Sequence, residues 1–158
     1  MEDSFAISQQ KSLLNKIQNL NSLVPKDKKD IFHLKSIDNF ARHWMEIKDN
    51  NDRIWIYSVL EDYINICLEE LHTLDRNTSK ELYNTYILKV GTYYDHNIGF
   101  SIFMHIWIVF VMYIGLFFLG LIWLNFFVSL SIFLPLCILH VIYLNRKQKL
   151  NRTFGIFH

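Results

Sequence analysis

The sequence predicts an all-α protein with two parts, a helical N-terminal domain followed by a two-helix transmembrane hairpin. The 50 positions from His96 to Asn145 contain no formally charged residue, although 20% of the whole chain is charged. The preceding residues place apolar side chains at helical spacing and show no alternating strand pattern. We therefore assign residues 1–97 to a cytosolic helical domain, 98–145 to the hairpin and 146–158 to a basic cytosolic tail.

The apolar spacing of the N-terminal domain predicts about four helices. The first is expected to end at Pro25, because proline cannot continue a helix. Ser36 is expected to cap the second helix, since a serine hydroxyl accepts a hydrogen bond from an unpaired N–H. The last of these helices carries Tyr86, Val90 and Tyr94 on one face, and no proline separates it from the apolar run. We therefore expect this helix to continue directly into the first membrane span.

The charge-free run is long enough for two membrane-spanning helices. A bilayer core about 30 Å thick is crossed by roughly 20 apolar residues in helical conformation, so we place the spans near 101–121 and 125–144, with Asn125 at the turn. The turn carries no lysine or arginine, whereas four follow the second span. The positive-inside rule then places both termini in the cytoplasm. Because polar residues follow Met1, no signal peptide is expected.

Two histidines lie inside the predicted spans. In antiparallel spans His105 and His140 fall at a similar depth, about 6 Å inside the cytoplasmic boundary at the helical rise per residue. Ionisable side chains within a membrane usually face a partner, a cavity or a pathway, so these two are candidates for lining or gating a pore. Alternatively, each ring donates to a carbonyl or hydroxyl group or reaches the headgroups. No further ligand is spaced to complete a metal site.

Other polar and basic residues near the spans are candidates for contacts with a pore or with lipid. Hydroxyl and amide groups in a span either favour close helix packing or line a pore. Cations beside an anionic leaflet are each worth about 1 kcal/mol. The pore-lining candidates are Asn125, Ser129 and Ser131, and the membrane-surface cations, expected to meet anionic lipids, are Arg146, Lys147, Lys149 and Arg152.

The soluble part shows no pattern typical of catalysis or nucleic-acid binding. It has no glycine-rich phosphate loop, no Ser/His/Asp set and no basic stripe interleaved with aromatic residues. Cys67 and Cys137 form no disulfide framework and no zinc spacing. We therefore expect neither an enzyme nor a cofactor, and no direct binding of nucleic acid.

In its layout the chain resembles the small membrane proteins of bacterial antiviral defence, and most of all the membrane accessory protein of type VI-B CRISPR loci. The resemblance covers the general architecture of the whole chain and no specific motif. It implies pore-like oligomers in the bacterial inner membrane that work with another protein of the defence system, an RNA-guided ribonuclease. It also implies a HEPN-like arginine and histidine, and only Arg152 and His158 have that spacing. Because chance produces such a spacing in a chain of this size, we expect no ribonuclease activity.

Two functions follow from this layout. In the first, a homo-oligomer of the bacterial inner membrane forms a pore-like assembly or perturbs the bilayer, and so depolarises the cell during antiviral defence. In the second, the chain is an adaptor or immunity-type binding module, and its hairpin serves only as an anchor. The two differ in whether the hairpin sequence itself matters for function.

Overall fold

The computed structural model of the chain describes residues 2–104 and 106–155. Two predicted site residues, His105 and His158, lie outside this range. The described residues are mostly helical, which confirms the all-α class. They divide into two compact units: unit 1 runs to Ile102 and resumes at Arg152, and unit 2 is Phe103–Asn151.

Unit 1 is built from helices that are joined by short turns. A π-helical turn, Tyr83–Ile87, joins its last two helices without a break, so that they form one continuous rod. In chain order the helices are α1 (Glu2–Leu23), α2 (Leu34–Arg42), α3 (Asn50–Glu69), α4 (Arg76–Leu82) and α5 (Leu88–Ile98), with 3₁₀ turns at Lys26–Lys28 and Trp44–Glu46.

Aspartates begin two of these helices, whereas the predicted serine cap is wrong. Asp49 accepts hydrogen bonds from the first N–H groups of α3, and Asp75 accepts one from the N–H of Thr78 in α4. Helix α2 instead begins after His33, whose side chain makes no cap. Ser36 lies inside α2, where its buried hydroxyl accepts from the N–H of Gly155 at 3.2 Å.

The rod formed by α4 and α5 does not continue into the apolar run, so that expectation is also wrong. Helix α5 ends at Ile98, and Gly99 takes the left-handed conformation with φ 80°. Glycine adopts this conformation without steric cost, and it commonly ends helices in this way. The N–H of Phe100 then returns to the carbonyl of Tyr94 at 3.1 Å. A short strand, β1 (Ser101–Ile102), follows.

The chain that follows the apolar run returns to unit 1 as a second strand. This strand, β2 (Thr153–Phe154), pairs in parallel with β1, so that Ser101 lies opposite Thr153 and Ile102 opposite Phe154. The structure thus differs from the predicted separate tail of residues 146–158. The prediction followed the cations, whereas the buried β-branched and aromatic residues after them decide where the chain lies.

Helix α2 holds β2 in the core of unit 1. The Asn39 amide donates to the carbonyl of Thr153 at 2.8 Å. The ring of Phe154 is buried, and its centroid lies 5.7 Å from that of Phe40. Asn39 and Thr153 are buried too, so this hydrogen bond satisfies groups that have no access to water. Hydrogen bonding and apolar burial therefore act on the same two-residue strand.

Two buried tyrosines tie other parts of the same core together. The Tyr94 hydroxyl donates to the carbonyl of Phe40 at 2.8 Å, and the Tyr63 hydroxyl donates to that of Phe32 at 2.9 Å. Burial raises the pKa of both phenols well above the ordinary value. Both tyrosines therefore remain neutral donors at physiological pH.

Unit 2 is a helical hairpin. Helix α6 (Ile106–Trp123) is followed by a two-residue connection and by α7 (Phe126–Lys149), which runs through Pro135 without a break. The turn lies where the sequence predicts it, at Asn125. Among the described residues α7 is the one helix long and apolar enough to cross a membrane, whereas the apolar stretch of α6, Trp107–Trp123, is shorter.

Gly91→Ala tests the close packing of β2. A Cβ at Gly91 would lie 2.2 Å from Cε2 of Phe154, so the ring has to move. Overpacking a core typically costs 1–3 kcal/mol, and we expect a loss of about that size in the free energy of unfolding of unit 1, measured by urea denaturation of the full chain.

The matched control is Phe154→Leu, alone and together with Gly91→Ala. A leucine side chain removes most of the atoms that the new methyl group meets. We expect the loss in the double variant to be smaller than the sum of the two single losses. Additive losses would show that the two positions do not pack against each other.

Candidate functional site in the apolar hairpin

Two of the predicted pore-lining residues bond to their own helix. Asn125 caps α7, because its side-chain oxygen accepts from the N–H of Val128 at 2.9 Å. The Ser131 hydroxyl donates to the carbonyl of Val128 at 3.0 Å. Such bonds satisfy polar groups locally, so these side chains have less hydrogen-bonding capacity left for water or ions.

Ser129 faces α6 within the hairpin. Its side chain is buried, and its hydroxyl oxygen has no hydrogen-bond partner among the described residues. A Cβ at Gly120 would lie 3.3 Å from this oxygen and 2.6 Å from the ring of Phe133. The absence of a side chain at Gly120 therefore lets the two helices approach closely. This geometry corresponds to the packing alternative for Ser129 rather than to pore lining.

His140 meets a tyrosine of the facing helix. Its Nδ1 lies 3.4 Å from the hydroxyl of Tyr113, and the two rings meet edge to face at a centroid distance of 5.9 Å. Tyr113 was not among the predicted site residues, although its distance from the turn at Asn125 places it within about one helical turn of His140. A hydrogen bond to a hydroxyl group was the alternative interpretation for His140, in place of a ring that faces a pore. The predicted similar depth of His105 and His140 stays a prediction, because His105 lies outside the described residues.

The hairpin carries an apolar groove of about 220 Å³ between its two helices. Phe110 and Phe117 line it from α6, and Phe133 and Cys137 line it from α7. The hydroxyl-bearing residue of this lining is Tyr113. The groove is thus suited to a hydrocarbon chain or an apolar side chain rather than to a charged ligand.

Most of the apolar surface of the hairpin is uncovered. Within the apolar window of α7, 17% of the residues are buried. Trp107 and Trp123, near the two ends of α6, are 79% and 87% exposed. They lie about 24 Å apart along the helix at 1.5 Å per residue. Soluble monomers rarely expose large contiguous apolar surfaces, and such surfaces commonly mark contacts with lipid or with other proteins.

The predicted membrane-surface cations fall into two groups. Arg146, Lys147 and Lys149 form the last turn of α7, and the ammonium of Lys147 lies 5.3 Å from the ring centroid of Tyr143. Arg152 instead belongs to unit 1.

The Arg152 guanidinium is engaged inside unit 1. It donates to the carbonyl of Ile98 at 3.0 Å and to Glu46 at 2.7 Å. The other oxygen of Glu46 lies 2.7 Å from Nδ1 of His43. Arg152 therefore satisfies a carbonyl at the end of α5 and links the residue before β2 to the 3₁₀ turn at Trp44–Glu46. This arrangement differs from the role of a lipid-facing cation.

Three side chains of unit 1 that carry nucleophilic groups, His33, Cys67 and Ser79, are buried. His33 and Ser79 lie side by side, with 3.2 Å between Nε2 and the hydroxyl oxygen, but both are buried. Sequence reasoning missed this pair because 46 residues separate its members. Burial raises the pKa of Cys67 to about 12, which leaves the thiol protonated and unreactive. The described residues contain no group of three side chains able to hold a metal ion.

No family model, curated protein or solved structure matches this chain.

Gly120→Leu tests the close approach of α6 and α7. A larger side chain would displace the ring of Phe133 and separate the helices. We expect a lower thermal transition of the hairpin, measured by circular dichroism of the full chain in detergent.

Gly115→Leu is the matched control for this substitution. It lies in the same helix, and a Cβ placed there has no atom within 4 Å. Replacing a helical glycine usually gains about 0.5–1 kcal/mol in helix propensity, so the transition should be unchanged or higher. Equal losses at both positions would contradict the close contact at Gly120.

Proposed function

We propose that the chain is a bacterial inner-membrane protein that inserts its hairpin into the bilayer, assembles with copies of itself and permeabilises or perturbs the membrane. The observation that carries the proposal is the uncovered apolar surface of α6 and α7. Burial of such surface is worth roughly 25 cal/mol per Å². A bilayer supplies this burial along the whole hairpin.

Both ends of the hairpin are compatible with a bilayer interface. Exposed tryptophans near the two ends of α6 fit the positions where amphipathic rings collect. The cations of the last turn of α7 fit an anionic leaflet on the cytoplasmic side. Unit 1 and the three cations then share the cytoplasmic face, with both termini on that side.

Assembly is needed for the proposed activity because one hairpin offers no polar path. His140, paired with Tyr113, is half-buried, and the exposed faces of both helices are apolar. An aqueous path needs polar groups from several copies around one axis, or else a defect in the lipid. The resemblance to defence accessory proteins suggests loss of the membrane potential as the cellular outcome.

One observation favours the second candidate, in which the hairpin only anchors a binding module. Ser129 is buried between the two helices, and the side chains of Asn125 and Ser131, although exposed, bond to the backbone of their own helix. Such a hairpin presents mainly hydrocarbon to its surroundings, which is all that an anchor requires. Unit 1 would then carry the function through a protein partner.

Exchanging residues 103–151 for an unrelated apolar hairpin distinguishes the two candidates. Vesicles loaded with a self-quenching dye report leakage, and a potential-sensitive dye reports depolarisation in bacterial cells. Under the leading proposal the natural chain causes both signals and the exchanged chain causes neither. Crosslinking in native membranes should also show more than two copies together. A monomer that leaves the potential unchanged would overturn the proposal.

Neutralising Arg146, Lys147 and Lys149 with glutamine tests whether the last turn of α7 contacts anionic lipid. Each cation near an anionic surface is worth about 1 kcal/mol, so binding to vesicles with anionic lipid should weaken by roughly two orders of magnitude. Binding to neutral vesicles should hardly change, and this comparison is measured by flotation. Lys80→Gln is the control, because that lysine lies in α4 of unit 1. Equal losses on both kinds of vesicle would contradict a lipid contact.

A further inference from the structure

A buried histidine stands at the start of the helix that holds β2. His33 is 2% exposed and directly precedes α2. Its Nε2 lies 3.3 Å from the carbonyl oxygen of Ser79, whereas its Nδ1 has no hydrogen-bond partner among the described residues. A proton on Nδ1 would therefore create a buried donor without an acceptor and a buried charge, both of which are costly.

The backbone around this ring departs from regular geometry on both sides. His33 has φ 45° and ψ 31°, a left-handed conformation that is uncommon outside glycine, although asparagine, aspartate and histidine adopt it more often than other residues. Its ring packs at a centroid distance of 5.2 Å against Tyr83, the first residue of the π-helical turn. Left-handed residues and π turns are often found at sites that change conformation or carry function.

The described titratable groups that face the ring are Asp30 and Tyr83. The Asp30 carboxylate and the Ser79 carbonyl both favour the charged ring. Burial outweighs them and lowers the pKa of His33 below its ordinary value of 6.5. The folded unit thus accommodates the neutral ring.

Helix α2 connects this histidine to the strand pair. Three positions further on, the Ser36 hydroxyl accepts from the N–H of Gly155, and Asn39 donates to the carbonyl of Thr153. The nine residues of α2 thus have His33 at their start and β2 along their buried side. A displacement of the first turn of α2 would break the bond between Ser36 and Gly155, the residue after β2, and a displacement that reaches Asn39 would remove its bond to Thr153 of β2.

We propose that His33 is a proton-operated switch of the strand pair: uptake of a proton at Nδ1 displaces the start of α2 and releases β2. The proton comes from solvent, and the N–H bond is the one bond that forms. Because Arg152 alone separates unit 2 from β2 in the chain, release of β2 would loosen the C-terminal end of the hairpin, which would then be held to unit 1 by the contacts of Arg152 with Ile98 and Glu46. This last consequence rests on the proposed membrane function, whereas the release of β2 does not.

The direction of the pH effect follows from the pKa of His33 in the two forms. In the open form the ring has its ordinary pKa, so below about pH 6.5 the open form binds the proton first. As the pH falls below this value, the equilibrium constant for opening rises about tenfold for each pH unit, until the lower pKa of the closed form is reached. Above this window the closed form keeps its full stability.

Hydrogen exchange of the full chain in lipid nanodiscs measures the switch. We expect the amides of β1 and β2 to lose protection progressively as the pH falls from about 7.5 to about 5, after correction for intrinsic exchange, with the loss beginning near pH 6.5. His33→Asn should abolish this response, because asparagine accepts the left-handed backbone but does not titrate. Unchanged protection of β2 in the natural chain at low pH would overturn the proposal.

Two other histidines provide matched controls. His43→Asn alters the contact with Glu46, which also binds Arg152 just before β2, and His72→Asn changes an exposed histidine. Both variants should keep the pH response. Loss of the response in His43→Asn would show that His43 rather than His33 operates the switch, and would overturn the proposal. If His33→Asn does not fold, NMR titration of the natural chain decides: opening that follows a histidine other than His33 overturns the proposal.

Vesicle leakage, measured on the same proteins, separates the switch from the proposed function. Release of β2 without leakage at any pH supports the switch and contradicts the membrane-permeabilising role. Leakage that rises with acid while β2 stays protected supports that role and overturns the switch.

Discussion

The parallel pairing of β1 and β2 is the constraint on which the rest of the structure depends. A ladder of two residues per strand is too short to persist by itself. It is maintained by side chains of unit 1, in particular by the burial of Phe154 and by the hydrogen bond from Asn39 to Thr153. Because Phe103–Asn151 leaves from one of these strands and returns to the other, a membrane that it enters must be left on the side of entry. This connectivity agrees with an even number of crossings.

The break after α5 changes how events in unit 1 would reach the hairpin. A helix continuous from unit 1 into the first span would act on one end of the hairpin alone. Gly99 ends that helix, and both chain connections to unit 2 instead pass through one strand pair. The same pair contacts α2, so that a change in α2 bears on both connections together. The hydrogen bonds of α2 are therefore a more direct route than rotation of a rod.

Local patterns predict the helices well, because helical periodicity, caps and turns involve neighbouring residues. The turn at Asn125 and the end of α1 before Pro25 are examples. The strand pair was not predictable in this way, since two residues carry no periodicity and Ser101 and Thr153 are far apart in the sequence. Ser36 failed as a predicted cap for the same reason: its partner, Gly155, is a distant residue. For the candidate site, the patterns of charge and hydropathy locate the hairpin in the sequence. They do not show that Ser129 faces the other helix.

The inward direction of Ser129 bears on what the proposed assembly of hairpins would have to supply. In hydrocarbon an unpaired hydroxyl is costly. In the proposed membrane-inserted hairpin, the position of Ser129 opposite Gly120, in the seam between α6 and α7, would keep its hydroxyl away from lipid. Opening that seam would expose Ser129, together with Tyr113 and His140, and would turn polar atoms outward. In the proposed assembly, a hairpin that stays closed would perturb lipid only by its volume, whereas one that opens would line an aqueous path together with its neighbours. Because the strand pair ties the two ends together, its release is one way to allow the seam to open.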